Sequence, residues 1–202
     1  VLHTLVVIYL AFKWQETRSD RLLIVLAFLC GLMLAHLYTV ALMAPALLIF
    51  ILGQQPSLLR RGKLIAQSIA AAFLPLLSYA YVYWRGAEHP EWRGVGAWPS
   101  AWAWFVDFLS TRQGQAEANL SWDGIPWPML HLITDELTIV VLVGGLVGIA
   151  LLPRWRAAFF YGTLVTYAPF MYISRYGNWY QAIMPLYPMI VIGFVLLTKT
   201  VW

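Results

Sequence analysis

Long apolar runs alternate with short polar stretches along this chain. Residues 22–52 hold no charged side chain and lie between KWQETRSDR at 13–21 and GQQPSLLRRGK at 53–63. As a single helix, those 31 residues would extend about 46 Å and carry the two polar stretches to opposite sides of a bilayer. As two shorter helices in a hairpin they return both stretches to one side, which the positive-inside tendency favours. The pattern therefore predicts helices at 22–36 and 37–52, with a turn near 35–39.

The same alternation continues downstream. It predicts spans at 64–84, 131–152, 157–174 and 182–198, with a long outer loop at 85–130. Pro75 falls inside a span, where packed membrane helices tolerate proline. The opening apolar stretch, 1–12, rises only about 18 Å as a helix and is too short to span alone. It has neither the basic start nor the cleavage site of a signal peptide. It is expected to be part of a helix that begins upstream, in a chain that is a piece of a longer protein. The predicted fold class is all-α, a polytopic transmembrane bundle forming one domain over 1–202.

Composition agrees with that class: 61% of residues are hydrophobic and 11% charged, against about a quarter charged in soluble domains. The short alternating segments of a β-barrel are absent. The one cysteine, Cys30, excludes a disulfide framework and a thiolate metal site. The net charge of +4 does not point to nucleic acid, because the basic residues fall in short turns between spans.

Charge also tests the threading. Nine basic residues fall on the inner side: Lys13, Arg18, Arg21, Arg60, Arg61, Lys63, Arg154, Arg156 and Lys199, against Glu16 and Asp20. Four basic residues, Arg85, Arg93, Arg112 and Arg175, fall outside with the other seven acids. That is the bias of a positive-inside topology. All four histidines, His3, His36, His89 and His131, lie at or near the outer face. No charge stands near a span midpoint, where transporters usually keep coupling groups. Work at the outer surface is favoured over passage through the membrane.

Seven of the eleven tryptophans lie between Trp84, at the end of a span, and Trp127 in the outer loop. Within it, 100–112 predicts a surface helix capped by Ser100. Ala101, Trp104, Phe105, Phe108 and Leu109 form an apolar stripe, opposite Ser100, Ala103, Asp107, Ser110 and Thr111. Such a helix lies in the bilayer interface. The tryptophans have two readings, an interfacial belt or rings that stack on a sugar or hold a polyprenyl chain. Arg112 and Gln113 follow the stripe, where a cation meets either a headgroup or a ligand phosphate. Asp135 and Glu136 are expected in a first helical turn, complementing the helix dipole. Asn119-Leu120-Ser121 matches a glycosylation sequon, a weak signal alone. No His/Asp/Glu spacing marks a metal site.

Three phrases carry a family resemblance. GLMLAHLYTVALMAPALLIFIL resembles the paired short helices of the GT-C superfamily of membrane glycosyltransferases, in which a Gly/Leu-rich helix ends in Lys or His. WAWFVDFLSTRQGQ is similar to the Trp/Phe-rich segment ending in Arg-Gln of one branch, long-uncharacterised bacterial and eukaryotic proteins related to protein O-mannosyltransferases. RYGNWYQAIMPLYP is similar to an Arg-Tyr…Pro-x-Tyr-Pro ending common across the superfamily.

The resemblance implies transfer of a sugar, mannose among the candidates, from a polyprenyl- or dolichyl-phosphate donor to a protein or glycan acceptor. The implied location is a bacterial or archaeal plasma membrane, with the active face extracytoplasmic. It places His36, Arg112, Gln113, Arg175 and Tyr176 at the substrate. Transfer needs cations or a divalent metal near the developing negative charge, and a carboxylate to activate the acceptor hydroxyl. The family places that acid in a first outer loop, upstream of this chain, so the chain alone is expected to be inactive and its catalytic residue stays unassigned. Two other classes remain open: a transporter or lipid flippase, which upstream sequence forming an inverted repeat would favour, and a non-catalytic membrane scaffold, which would tolerate loss of His36 and Arg112.

Overall fold

The computed structural model describes residues 1–36, 39–110, 127–173 and 183–202; the side chains of 36, 127–130 and 132 are not described. Every regular element among these residues is helical. In chain order they are α1 (Leu2–Thr17), α2 (Asp20–His36), α3 (Ala44–Gln54), α4 (Gly62–Phe73), α5 (Ser78–Glu88), α6 (Ala101–Leu109), α7 (Trp127–Ile149), α8 (Arg154–Ile173) and α9 (Tyr187–Val201). Short 3-10 segments lead into α3, α4, α5 and α9.

Three turns meet at one end of the bundle. The Arg61 guanidinium makes a paired hydrogen bond to the Asp20 carboxylate, joining the starts of α2 and α4. Arg18 donates to Gln54 Oε1 at 3.2 Å, bringing the end of α3 to the same place. Arg156 donates to Gln15 Oε1 at 2.7 Å and approaches Glu16 at 3.3 Å, which adds the turn before α8. α2 ends at His36 and α3 (Ala44–Gln54) runs back to this end, so the polar stretches 13–21 and 53–63 lie side by side.

Above this turn end sits an aromatic core. Phe12 and Trp14 of α1, Phe50 of α3, and Phe159 and Phe160 of α8 pack with ring centroids 5.5–6.3 Å apart. These separations suit tilted and offset aromatic pairs. Trp14, Phe50, Phe159 and Phe160 have no solvent exposure. The backbones of α3 and α8 approach where Ala46 meets Gly162, and Thr166 donates to the Leu42 carbonyl at 2.7 Å. α2 runs parallel to α4, with Gly31 against the Ala72 carbonyl.

A second close crossing joins α7 and α9. Gly145 and Gly148 face Ile190 and Gly193 so closely that a Cβ at Gly148 would meet the Gly193 carbonyl oxygen. Gly144 and Gly148 form a G-x-x-x-G pair, the spacing that lets membrane helices touch through backbone. The pair is visible in the chain, although span prediction makes no use of it.

Two helical runs among the described residues are long and apolar enough to cross a bilayer: Gly62–Glu88, of 27 residues, and Met184–Val201, of 18. α2 and α3, at 17 and 11 residues, fall short of that length. The run Gly62–Glu88 crosses Pro75 through a 3-10 turn at Leu74–Leu77 without ending. Its apolar side chains, Ile69, Phe73, Leu74 and Leu77 among them, face outward.

Gly148→Leu should lower the unfolding midpoint in detergent, at an overpacking cost of about 1–3 kcal/mol or more. Gly62→Ala has open space around it and should leave the midpoint within error. Thermal unfolding followed by circular dichroism measures both, and equal midpoints for wild type and Gly148→Leu would remove the close crossing.

Candidate functional site at the loop end

At the end opposite the turns, α5 projects past α2. The Tyr79 hydroxyl donates to the Leu34 carbonyl at 2.9 Å, so Trp84 and Arg85, a turn and a half further on, stand beyond the level of His36. The chain then folds back. Pro90–Arg93 forms a 3-10 turn, Gly94 takes a positive φ of 81° that suits glycine, and Ser100 caps α6 by accepting from the Ala103 amide at 3.0 Å.

α6 does not lie free on an interface. Trp104 and Phe105 are buried, the first over Gly86 and the second against Tyr83 with ring centroids 5.3 Å apart. The Trp104 indole N–H donates to the Arg93 carbonyl at 3.1 Å, and Trp98 donates to Asp107 at 3.2 Å. The expected apolar stripe is therefore divided. Trp104 and Phe105 pack on protein, while Phe108 and Leu109 stay exposed beside Trp102 and Val106. Gly86 accounts for this, because its missing side chain provides the recess that the Trp104 ring fills.

A cationic centre lies within the aromatic cluster. The Arg85 guanidinium stands 4.5 Å from the Trp92 ring centroid and 5.9 Å from that of Trp84, within cation–π range. It is 3.6 Å from Glu88, and its buried Nε has no hydrogen-bond partner among the described residues. His89 stacks on Trp92 at 4.2 Å and meets Glu91 at 3.0 Å. A hydrogen bond from its own backbone amide, then one from His89, hold the Glu91 carboxyl below its ordinary pKa. Arg93 donates to the Gly86 carbonyl at 2.7 Å.

Elsewhere at this end, the Tyr187 hydroxyl donates to the Glu136 carboxylate. This corrects the expected role of Asp135 and Glu136. α7 begins at Trp127, so neither acid is in its first turn, and Glu136 pairs across to α9. Two residues on, Thr138 has φ 60° and ψ 150°, interrupting α7. That region is essentially reserved for glycine and costs of order 1–3 kcal/mol.

Of the residues expected at the substrate, His36 is the last residue of α2, at the loop end, and its side chain is not described. Arg112, Gln113, Arg175 and Tyr176 lie outside the described residues, as does the Asn119-Leu120-Ser121 sequon. The Arg85–Trp92–His89 cluster was not singled out from the sequence. Its signal was available in WRGAEHPEWR, which interleaves aromatic and charged residues. Among the described residues no group of three or more His, Cys, Asp or Glu side chains is placed to hold a metal ion. No protein-family model, curated protein or solved structure matches the chain.

Trp104→Ala should loosen α5 from α6. Truncating a buried Trp costs about 3–5 kcal/mol in a closed core, and less where solvent can enter, as here. Amide exchange over 78–93 should speed up and trypsin should cut faster after Arg93, while Val95→Ala, at a fully exposed position, leaves both unchanged. Identical exchange in the two variants would refute the packing role.

Proposed function

We propose that this chain is a multi-pass membrane protein whose chemistry lies at the loop end, and that this chemistry is GT-C-like sugar transfer from a lipid-linked phosphate donor at the extracytoplasmic face. The observation that carries the membrane reading is the outward apolar face of Gly62–Glu88, 27 residues with none of its most apolar window buried within the chain. Exposed to water, such a face would oppose folding at about 25 cal/mol per Å²; in hydrocarbon it costs nothing.

Charge supports the orientation. The turn end gathers Arg18, Arg61 and Arg156 with their neighbours, whereas Glu88, Glu91, Asp107, Asp135 and Glu136 belong to the loop-end segments. Under the positive-inside tendency the turn end is cytoplasmic. The shorter helices α1, α2 and α3 then act as hairpin partners of the longer runs. What supports sugar transfer in particular is the similarity of the three phrases quoted above, with His36 ending α2 at the face where the donor phosphate would arrive.

In that reaction the acceptor hydroxyl oxygen attacks the anomeric carbon. The bond from that carbon to the phosphate oxygen breaks, and the lipid phosphate leaves with the electron pair. The hydroxyl proton passes to a carboxylate that is not assigned to a residue of this chain. His36, Arg112 and Arg175 would stabilise charge on the leaving phosphate, with Gln113 and Tyr176 orienting the sugar.

Two measurements test this. In a Cys30→Ser background, cysteines placed by Ser57→Cys and Ala97→Cys should react with impermeant maleimide from opposite sides of sealed vesicles; labelling from the same side would remove the topology. Full-length protein supplied with polyprenyl-phosphate mannose should lose at least about tenfold in turnover, about 1.4 kcal/mol of transition-state stabilisation, for each of His36→Ala, Arg112→Ala and Arg175→Ala. Unchanged turnover in all three would sink the assignment.

A further inference from the structure

An open apolar groove of about 460 Å³ runs between α2, α3 and α4. Leu26 and Cys30 line it from α2, Leu48 and Leu52 from α3, and Ser68 and Ile69 from α4. Toward the loop end it narrows at Ala72, where Gly31 brings the α2 and α4 backbones together. Toward the turn end it passes Leu64, which also lines a polar pocket bounded by Asp20, Arg61, Lys63 and Gln67. From Leu64 to Ala72 the groove follows α4 for about 12 Å.

The two ends differ in charge. Asp20 engages Arg61, and the hydrogen bond between them, the first cause, raises the Arg61 pKa above its ordinary value. Arg60 and Lys63 are exposed and have no carboxylate partner among the described residues. Lys63 thus lines the polar pocket at the mouth, and Arg60 directly follows Leu58 and Leu59, which line the groove.

We propose that this groove holds one acyl chain of an anionic phospholipid from the leaflet facing the turns, with its phosphate against Lys63 and Arg60. The proposal rests on the membrane reading above and not on sugar transfer. Lining and charge choose the occupant. The groove is open along one side and lined almost wholly by apolar side chains, which suits a single alkyl chain lying along α4. The cations distinguish anionic from zwitterionic headgroups, because each Lys or Arg near an anionic surface contributes about fivefold in binding.

Cys30 is the chain's single cysteine and lines the groove, so its alkylation reports occupancy. Delipidated protein in nonionic detergent is treated with N-ethylmaleimide alone, with dioleoyl phosphatidylglycerol, or with dioleoyl phosphatidylcholine. Phosphatidylglycerol should slow Cys30 alkylation at concentrations about fivefold or more below those needed for phosphatidylcholine. Lys63→Gln and Arg60→Gln should each cut that preference about fivefold. Ser68→Phe, which fills the groove, should lose the phosphatidylglycerol retained by wild type in native mass spectrometry while keeping its helical content.

Equal protection by the two lipids, or none, would overturn the proposal. So would Cys30 that is shielded without lipid and forms disulfide-linked dimers, which would make a second copy the occupant. Alkaline carbonate extraction separates the two failures. A chain released by carbonate removes the membrane reading itself, whereas a retained chain without lipid protection removes only the groove assignment.

Discussion

The architecture depends on one constraint: three turns are tied together at one end over a shared aromatic core. Arg156 is central to it. Its Nε holds Gln15, its terminal nitrogen approaches Glu16, and its guanidinium carbon lies 4.4 Å from the Phe12 ring centroid. The Trp155 ring beside it fills the space over Gly53, so one short segment grips both α1 and α3. Exposed ion pairs contribute little individually. They matter here because they sit directly above the cluster of half-buried Phe12 with buried Phe50, Phe159 and Phe160, and the polar ties fix the register in which that cluster closes.

Once the turns share an end, helix polarity follows. α2, α4 and α8 leave the turn end, while α1, α3 and α7 arrive at it. Parallel neighbours such as α2 and α4 cannot be joined by a short turn, so α3 must return between them. This leaves α2 and α4 to pack side by side, joined by the Asp20–Arg61 pair at one end and the Gly31–Ala72 approach further along. The groove lies where this pair meets α3, a product of the same constraint that closes the core.

Legibility in the sequence divides along the same line. The return of α3 to the start of α2 could be read because a positive-inside pattern groups Lys13, Arg18, Arg21, Arg60, Arg61 and Lys63, and the structure joins their turns through Arg18–Gln54 and Arg61–Asp20. The Ser100 cap was legible because capping is a local property of one side chain and an amide three residues on. The burial of Trp104 was not, because its recess is Gly86, on another helix. Nor was the pairing of Glu136 with Tyr187, which lies 51 residues away. Periodicity reports which face is apolar and not which neighbour covers it. Of the residues expected at the substrate, His36 ends α2 at the loop end, while Arg112, Gln113, Arg175 and Tyr176 belong to stretches outside the described residues.

Both ends of the bundle set arginines against aromatic rings, but their other partners differ. At the turn end, Arg18, Arg61 and Arg156 also reach amides and carboxylates on neighbouring helices, and Arg60 and Lys63 stay exposed. At the loop end, Arg85 faces indole rings, with a buried Nε that no described group satisfies. Arg85 is thus shared between Glu88, one turn away at 3.6 Å, and two indole faces, and a ring quadrupole holds a guanidinium without adding a negative charge. With Trp104 seated over Gly86 and Arg93 donating to the Gly86 carbonyl, α5 and the 90–93 turn close around that cation through rings and one backbone oxygen, where the turn end closes through side-chain ties between helices.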